Sequence, residues 1–283
     1  MRHLWALLLT TLLAGSVSLS AQVPSCSRPV QRPFRIFDAT AYIGRPDFSR
    51  YGIEPIHIVD RGIWPDGRRS GPPDPALVRR YVEGLPRDNA PIVLDFEQYD
   101  LTGSDQAAGT ARADLTAIAA AFRAAAPRRP IGFYSIVPIA DSVRPLAGAG
   151  SPPYREWQRQ NDRMRSIQSR VDFLFPPAYT INQDRRSWET MAASQICEAR
   201  RLSSKPVYVF LWPEFHEASS LSGQYLDADF WRQQLETAYR LADGVVIFGG
   251  YDIRANHPRP WNPNAPWYAP TLDFIRERME AGR

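Results

Sequence analysis

Seven apolar runs rich in Val, Ile, Phe and Tyr recur along this chain, at residues 34–42, 56–60, 92–97, 131–137, 171–179, 206–212 and 244–249. Runs this apolar suit strands buried on both faces of a parallel sheet. Helical patterns fall between them, at 75–84, 109–126, 154–169, 187–203, 227–242 and 269–279. The second of these places Leu115, Ile118, Ala119 and Phe122 on one face. The first is entered through Asp74 and Pro75, a cap residue followed by proline in the first turn. Strand followed by helix, repeated about seven times, implies right-handed crossovers and an α/β fold. Polar or aromatic residues stand at nearly every strand end: Asp60, Glu97, Tyr134, Tyr179, Trp212 and Tyr251. That favours a (β/α) TIM-like barrel, distorted and with about seven parallel strands, over an open sheet. A doubly wound nucleotide-binding sheet needs a glycine-rich loop after an early strand, and the sequence has none. The Pro- and Asn-rich stretch 256–270 reads as a long surface loop near the groove.

The first residues read as a secretory signal peptide. Arg2 and His3 precede an apolar core around Leu7–Leu13, and small residues follow up to Ala21. The apolar run is short for a membrane span. We therefore expect a leader at 1–21 and a single catalytic barrel domain at 22–283, secreted or periplasmic and off the membrane once the leader is cleaved. The alternative is an uncleaved N-terminal anchor. Gln22 rather than Cys follows Ala21, which argues against a lipoprotein. Cys26 and Cys197 would both survive cleavage and can pair or stay free thiols; spacing does not decide between the two.

The net charge of +4 comes almost wholly from scattered arginines, with Lys205 the only lysine. No basic helix or ribbon emerges, so no nucleic-acid partner is expected. No His-x-His or His-Glu-x-x-His spacing occurs among His3, His57, His216 and His257, so no metal site is expected, and no organic cofactor either. The same shortage of histidine ligands disfavours a phosphodiesterase-type barrel. A Gly-x-Ser-x-Gly elbow is absent as well, which argues against an esterase.

Chemistry concentrates in Leu94-Asp95-Phe96-Glu97, where an apolar strand ends in two acids spaced by two. In an extended chain Asp95 and Glu97 point the same way, at the strand end where barrels keep their active sites. Each raises the other's proton affinity, which suits one to act as a general acid near neutral pH. Two carboxyls so close cannot stand on opposite faces of a sugar ring. A substrate acetamido group can then supply the second role, with Glu97 as acid/base and Asp95 as its positioning partner. The competing reading makes Asp95 a hydrogen-bonded strand residue only. Tyr134, Tyr179 and Trp212 are candidate sugar-stacking or hydrogen-bonding residues, against ordinary barrel packing. Glu214, Asp252 and Asp38 are candidate second carboxylates, and His216 is a candidate groove residue, with a surface histidine the favoured reading.

The order of motifs resembles the hyaluronidase family, glycoside hydrolase family 56, from about Tyr81 to Tyr251. The carriers are Leu94-Asp95-Phe96-Glu97-Gln98-Tyr99, Gly132-Phe133-Tyr134, Phe175-Pro176-Pro177-Ala178-Tyr179, Pro206-Val207-Tyr208-Val209-Phe210 and Gly244-Val245-Val246-Ile247-Phe248-Gly249. The resemblance implies a distorted seven-stranded barrel and a retaining, substrate-assisted mechanism. It implies Glu97 as proton donor, Asp95 as positioning partner, and Tyr134 and Tyr179 in an acetamido pocket. Gln98 stands where the family has a second glutamate, and Phe248 where it has tryptophan, so hyaluronan is not carried over as substrate.

The expectation is thus a monomeric, exported hydrolase: a hyaluronidase-like glycosidase acting on an N-acetylhexosamine-containing polysaccharide or oligosaccharide. Substrate-binding residues are expected at Tyr134, Tyr179, Trp212, Phe248, Tyr99, Glu214 and Asp252. Its rivals are a non-catalytic carbohydrate-binding barrel and a conventional two-carboxylate glycosidase.

Overall fold

The computed structural model describes residues 23–26, 33–253 and 255–280. The expected leader at 1–21 lies outside them. β1 (Arg35–Thr40) pairs in parallel with β2 (Ile53–Pro55) on one side and β7 (Gly244–Gly249) on the other, and β7 pairs with β6 (Tyr208–Leu211). A second parallel ladder runs β3 (His57–Val59), β4 (Ile92–Leu94), β5 (Ile131–Phe133). Only Ile56 separates β2 from β3, so one extended segment serves both ladders. The fifth apolar run joins β5 to β6 through single parallel bridges, Tyr134 to Phe175, Leu174 to Val207 and Pro177 to Phe210. It makes no continuous strand because Pro176 and Pro177 have no N–H to give a ladder.

Side-chain alternation divides the interior in two. Phe37, Val93, Tyr134, Phe175, Phe210 and Val246 form a buried cluster contributed by strands alone. Their strand neighbours Ile36, Ile92, Leu94, Val209, Leu211, Val245 and Ile247 face the other way, into a larger cluster with the helices. Both faces are dry, which is why the runs read as nearly continuous apolar sequence.

The helices are α1 (Pro75–Glu83), α2 (Asp105–Ala125), α3 (Pro152–Met164), α4 (Arg185–Leu202), α5 (Ala228–Leu241) and α6 (Tyr268–Ile275). Side-chain caps start five of them: Asp74, Ser104, Ser151, Asp184 and Asp227 each accept a hydrogen bond from a first-turn N–H. α2 begins at Asp105, four residues before the expected 109, because Ser104 sets its start. Cys26 and Cys197 are disulfide-bonded, tying the N-terminal segment to α4.

The stretch 256–270 is more ordered than its composition suggests. Tyr251–Asp252 (β8) pairs antiparallel with His257–Pro258 (β9), and Trp267 is fully buried at the entry to α6. The aromatic rings of Tyr42, Phe48, Trp261 and Trp267 hold it down, a tertiary effect that a count of Pro and Asn does not reveal. Among the described residues no helix is long and apolar enough to cross a membrane.

Candidate active site

Parallel pairing brings the C-terminal ends of β3 to β7 to one end of the fold. The β4 ladder reaches one residue past the strand, where Asp95 N–H donates to the Val59 carbonyl at 2.9 Å. The chain then turns at Glu97. Alternation therefore governs Asp95, while the turn sets the direction of Glu97. Asp95 still senses the charge of Glu97. Burial first, then the charges of Glu97 and Asp60, push Asp95 up to about 7, against the opposing charge of Arg69. Asp95 Oδ1 is buried with no hydrogen-bond partner among the described residues. Glu97 reaches the surface, yet the surrounding walls and the charge of Glu217 raise its proton affinity too.

Glu97 opens onto a cleft of about 210 Å³ lined also by Tyr134, Asp141, Tyr179, Gln195 and His216. A second cavity of about 180 Å³ shares Ser142, Tyr179, Ile181 and Met191 with it and continues to Val143 and Trp188. Tyr134 and Tyr179 lie side by side, ring centroids 6.1 Å apart. Burial and the neighbouring acids push both phenols well above their ordinary range, so both stay neutral at any working pH. Ser135, immediately after Tyr134, holds φ at 62°, a left-handed conformation rare for a residue with a side chain. Such strain, costing on the order of 1 kcal/mol, persists where surrounding structure imposes it. Here the Ser135 N–H is tied to the Phe175 carbonyl at 3.2 Å.

Trp212 and Phe248 stand behind Tyr179, with centroids 5.6 and 6.0 Å from its ring. They back the cleft wall without lining it. His216 stacks on Tyr179 at 5.7 Å, and burial lowers its proton affinity, with the charge of Glu217 opposing. The sequence pointed to the surface for this residue; the structure puts it in the cleft.

Other expected site residues lie elsewhere. Tyr99 packs against the main core, with its hydroxyl 3.5 Å from the Gly71 carbonyl. Glu214 is fully buried, accepting from Arg259 Nη1 at 2.8 Å and from the Tyr42 hydroxyl at 3.3 Å. Burial still pushes it up to about 7, with Arg259 opposing. Asp252 pairs with Arg259 at 3.5 Å and accepts from the Ala255 N–H at 2.9 Å. Asp38 accepts from Thr40 and pairs with Arg45. None of these carboxylates lines the cleft that holds Glu97.

Sequence reasoning missed Asp141, Ser142 and Ile181, which sit in loops with no pattern of their own, and Gln195. A signal for Gln195 existed: a lone amide seven residues beyond Trp188 and four beyond Met191, on one face of an otherwise buried helix. Among the described residues no group of three or more His, Cys, Asp or Glu side chains is placed to share a metal ion.

No family model matches the chain, and no curated protein matches it. Solved structures similar to it include two of bee venom hyaluronidase. Bee venom hyaluronidase in complex with a hyaluronic acid tetramer aligns with a TM-score of 0.57 at 16% identity, covering 87% of this chain and 96% of that one. Its monoclinic crystal form aligns with a TM-score of 0.56 at 16% identity, covering 88% and 97%. This likeness shows the fold, an α/β arrangement of parallel strands, and matches the remote resemblance read from motif order.

Proposed function

We propose that the protein is an exported glycoside hydrolase that cleaves an N-acetylhexosamine-containing glycan with retention, by a substrate-assisted mechanism. In this reading residues 22–283 form one catalytic domain, and the parallel ladder closes through the 53–59 segment into a distorted seven-stranded barrel. The observation that carries it is the pairing of a half-buried Asp95, whose Oδ1 is buried with no hydrogen-bond partner among the described residues, with a cleft-facing Glu97, beside the phenols of Tyr134 and Tyr179.

Glu97, with its raised proton affinity, protonates the leaving glycosidic oxygen and later withdraws a proton from the attacking water. Asp95 orients the acetamido N–H while its carbonyl oxygen attacks the anomeric carbon. Tyr134 and Tyr179, neutral phenols in the cleft wall, supply a hydroxyl donor to that carbonyl oxygen. No metal or organic cofactor enters this scheme. The bee venom enzyme's hyaluronic acid tetramer contains N-acetylhexosamine units, in keeping with the substrate class. The Cys26–Cys197 bond suits an oxidising compartment and so supports export.

A conventional two-carboxylate scheme would need a second acid across the sugar ring from Glu97. Glu214 and Asp252, its candidates, are engaged by Arg259. The deciding experiment is a reducing-end assay of the mature protein on chitin oligomers, hyaluronan, chondroitin and peptidoglycan strands, with Glu97→Gln alongside. We expect release from at least one and a loss of about 10²–10⁴-fold in the variant. Glycan binding without turnover would instead make this a carbohydrate-binding barrel.

A further inference from the structure

α4 turns one face to the groove. Trp188 lines the adjoining cavity, Met191 both cavities, and Gln195 the cavity of Glu97. Gln195 is only 1% exposed. Its Nε2 donates to the Asp141 carbonyl oxygen at 3.0 Å. A carbonyl can only accept, so this contact fixes which end of the amide is nitrogen. The other end, Oε1, is buried with no partner among the described residues. Buried acceptors are nearly always satisfied in folded proteins, so an unmet one in a cleft wall marks a place for a ligand donor.

The charges around it narrow the ligand further. Among the described residues no lysine or arginine lines either cavity. The Asp141 carboxylate is turned away, accepting from the Val143 and Arg144 N–H groups and pairing with the Arg144 guanidinium. Arg144 in turn donates to Gln160 Oε1 at 2.7 Å. Of the remaining groups, Glu97, the Gln195 carbonyl and the phenols of Tyr134 and Tyr179 carry no positive charge, and burial lowers the proton affinity of His216. A uronate carboxylate placed here would lose its water and meet no counter-charge.

We propose that Gln195 is a specificity-determining residue, its Oε1 accepting a hydrogen bond from a hydroxyl or amide N–H of the sugar unit next to the one at Glu97. The cleft then selects uncharged glycans over uronate-containing ones. This rests on the glycosidase reading and deepens it.

The test measures affinity in the Glu97→Gln protein, which keeps ligands intact, by calorimetry. The probes are an uncharged N-acetylglucosamine tetramer, a hyaluronan tetrasaccharide and N-acetylglucosamine itself. We expect the uncharged tetramer to bind at least about tenfold more tightly than the hyaluronan tetrasaccharide. Adding Gln195→Met, similar in length but without the acceptor, should weaken the tetramer by roughly 3–10-fold and leave the monosaccharide unchanged. Gln195→Glu, which keeps an acceptor, should retain more tetramer affinity than Gln195→Met. Equal or tighter binding of the hyaluronan fragment overturns the proposal. So does unchanged tetramer affinity in Gln195→Met, an equal loss for tetramer and monosaccharide, or no binding of any probe. Gln195-dependent binding of the tetramer by a wild-type protein that hydrolyses nothing would sink the hydrolase reading and leave the subsite standing. Glu97-dependent cleavage confined to anionic glycans would do the reverse.

Discussion

Arg259 Nη1 lies 2.8 Å from Glu214 Oε2, joining the β9 end of the loop after β7 to the segment that follows β6. Glu214 is fully buried, so removing its partner leaves a carboxylate with no counter-charge in a dry site. We expect Arg259→Ala to lower stability by roughly 3 kcal/mol, read by urea unfolding. Glu214→Gln should leave kcat within about tenfold of wild type, because the pair braces a loop and does not face the cleft. A much larger loss would return Glu214 to the role of second catalytic carboxylate.

Asp95 gives a pH signature. Its carboxyl titrates at about 7 in the folded protein against an ordinary 3.8, so the folded state holds the proton more tightly than the unfolded chain does. The stability this contributes is full below the ordinary carboxyl range and falls as pH climbs through 4 towards 7. Asp95→Asn removes the penalty. Its Tm should match wild type near pH 4 and exceed it at pH 8, while its activity drops. Glu214 titrates in the same window but cancels in the comparison. A variant no more stable than wild type at pH 8 would show that the buried position of Asp95 carries no cost.

Tyr179 touches Tyr134, Trp212, His216 and Phe248 at once, which leaves its ring no freedom to swing. Tyr179→Phe keeps that packing and deletes one donor. If the phenol holds the attacking acetamido oxygen, kcat should fall by about 10²-fold with little change in Tm. A change confined to KM would assign Tyr179 to ground-state binding instead.

Gly132 has no room for a side chain. A Cβ there would sit 2.5 Å from the Phe175 ring and 2.6 Å from the Phe173 carbonyl oxygen. We expect Gly132→Ala to cost about 2 kcal/mol and to disturb Tyr134, two residues on, so that stability and kcat fall together.

The strand positions were legible because both faces of each strand are buried, and an unbroken run of Val, Ile and Phe has few other uses. The fifth run misled in one respect: its apolar character is right, but the prolines at 176 and 177 permit only bridges. Asp95 and Glu97 were legible as acids ending an apolar strand, a placement that needs a reason. Trp212 was read as a strand-end aromatic and Phe248 as standing where the family has tryptophan, yet whether a ring lines a cleft or backs it depends on the layer in front, here Tyr179. Glu214 shows the same limit. An acid near a strand end can be a reagent or a brace, and only its distance to Arg259, 45 residues later, separates the two. The wall formed by α4 and the loop around Asp141 is assembled from segments distant in sequence; the helix was legible, its meeting with that loop at the cleft was not.

Cys197 stands two positions beyond Gln195 on the same helix, and its partner is Cys26 near the start of the chain. The covalent tether and the cleft's acceptor therefore share one rigid rod, whereas Glu97 sits on the turn after β4. Redox conditions thus bear unequally on the two ends of the groove. A reductant that opens the bond loosens the wall that discriminates between sugars before it reaches the acids that would cut them, so fidelity would fade sooner than turnover.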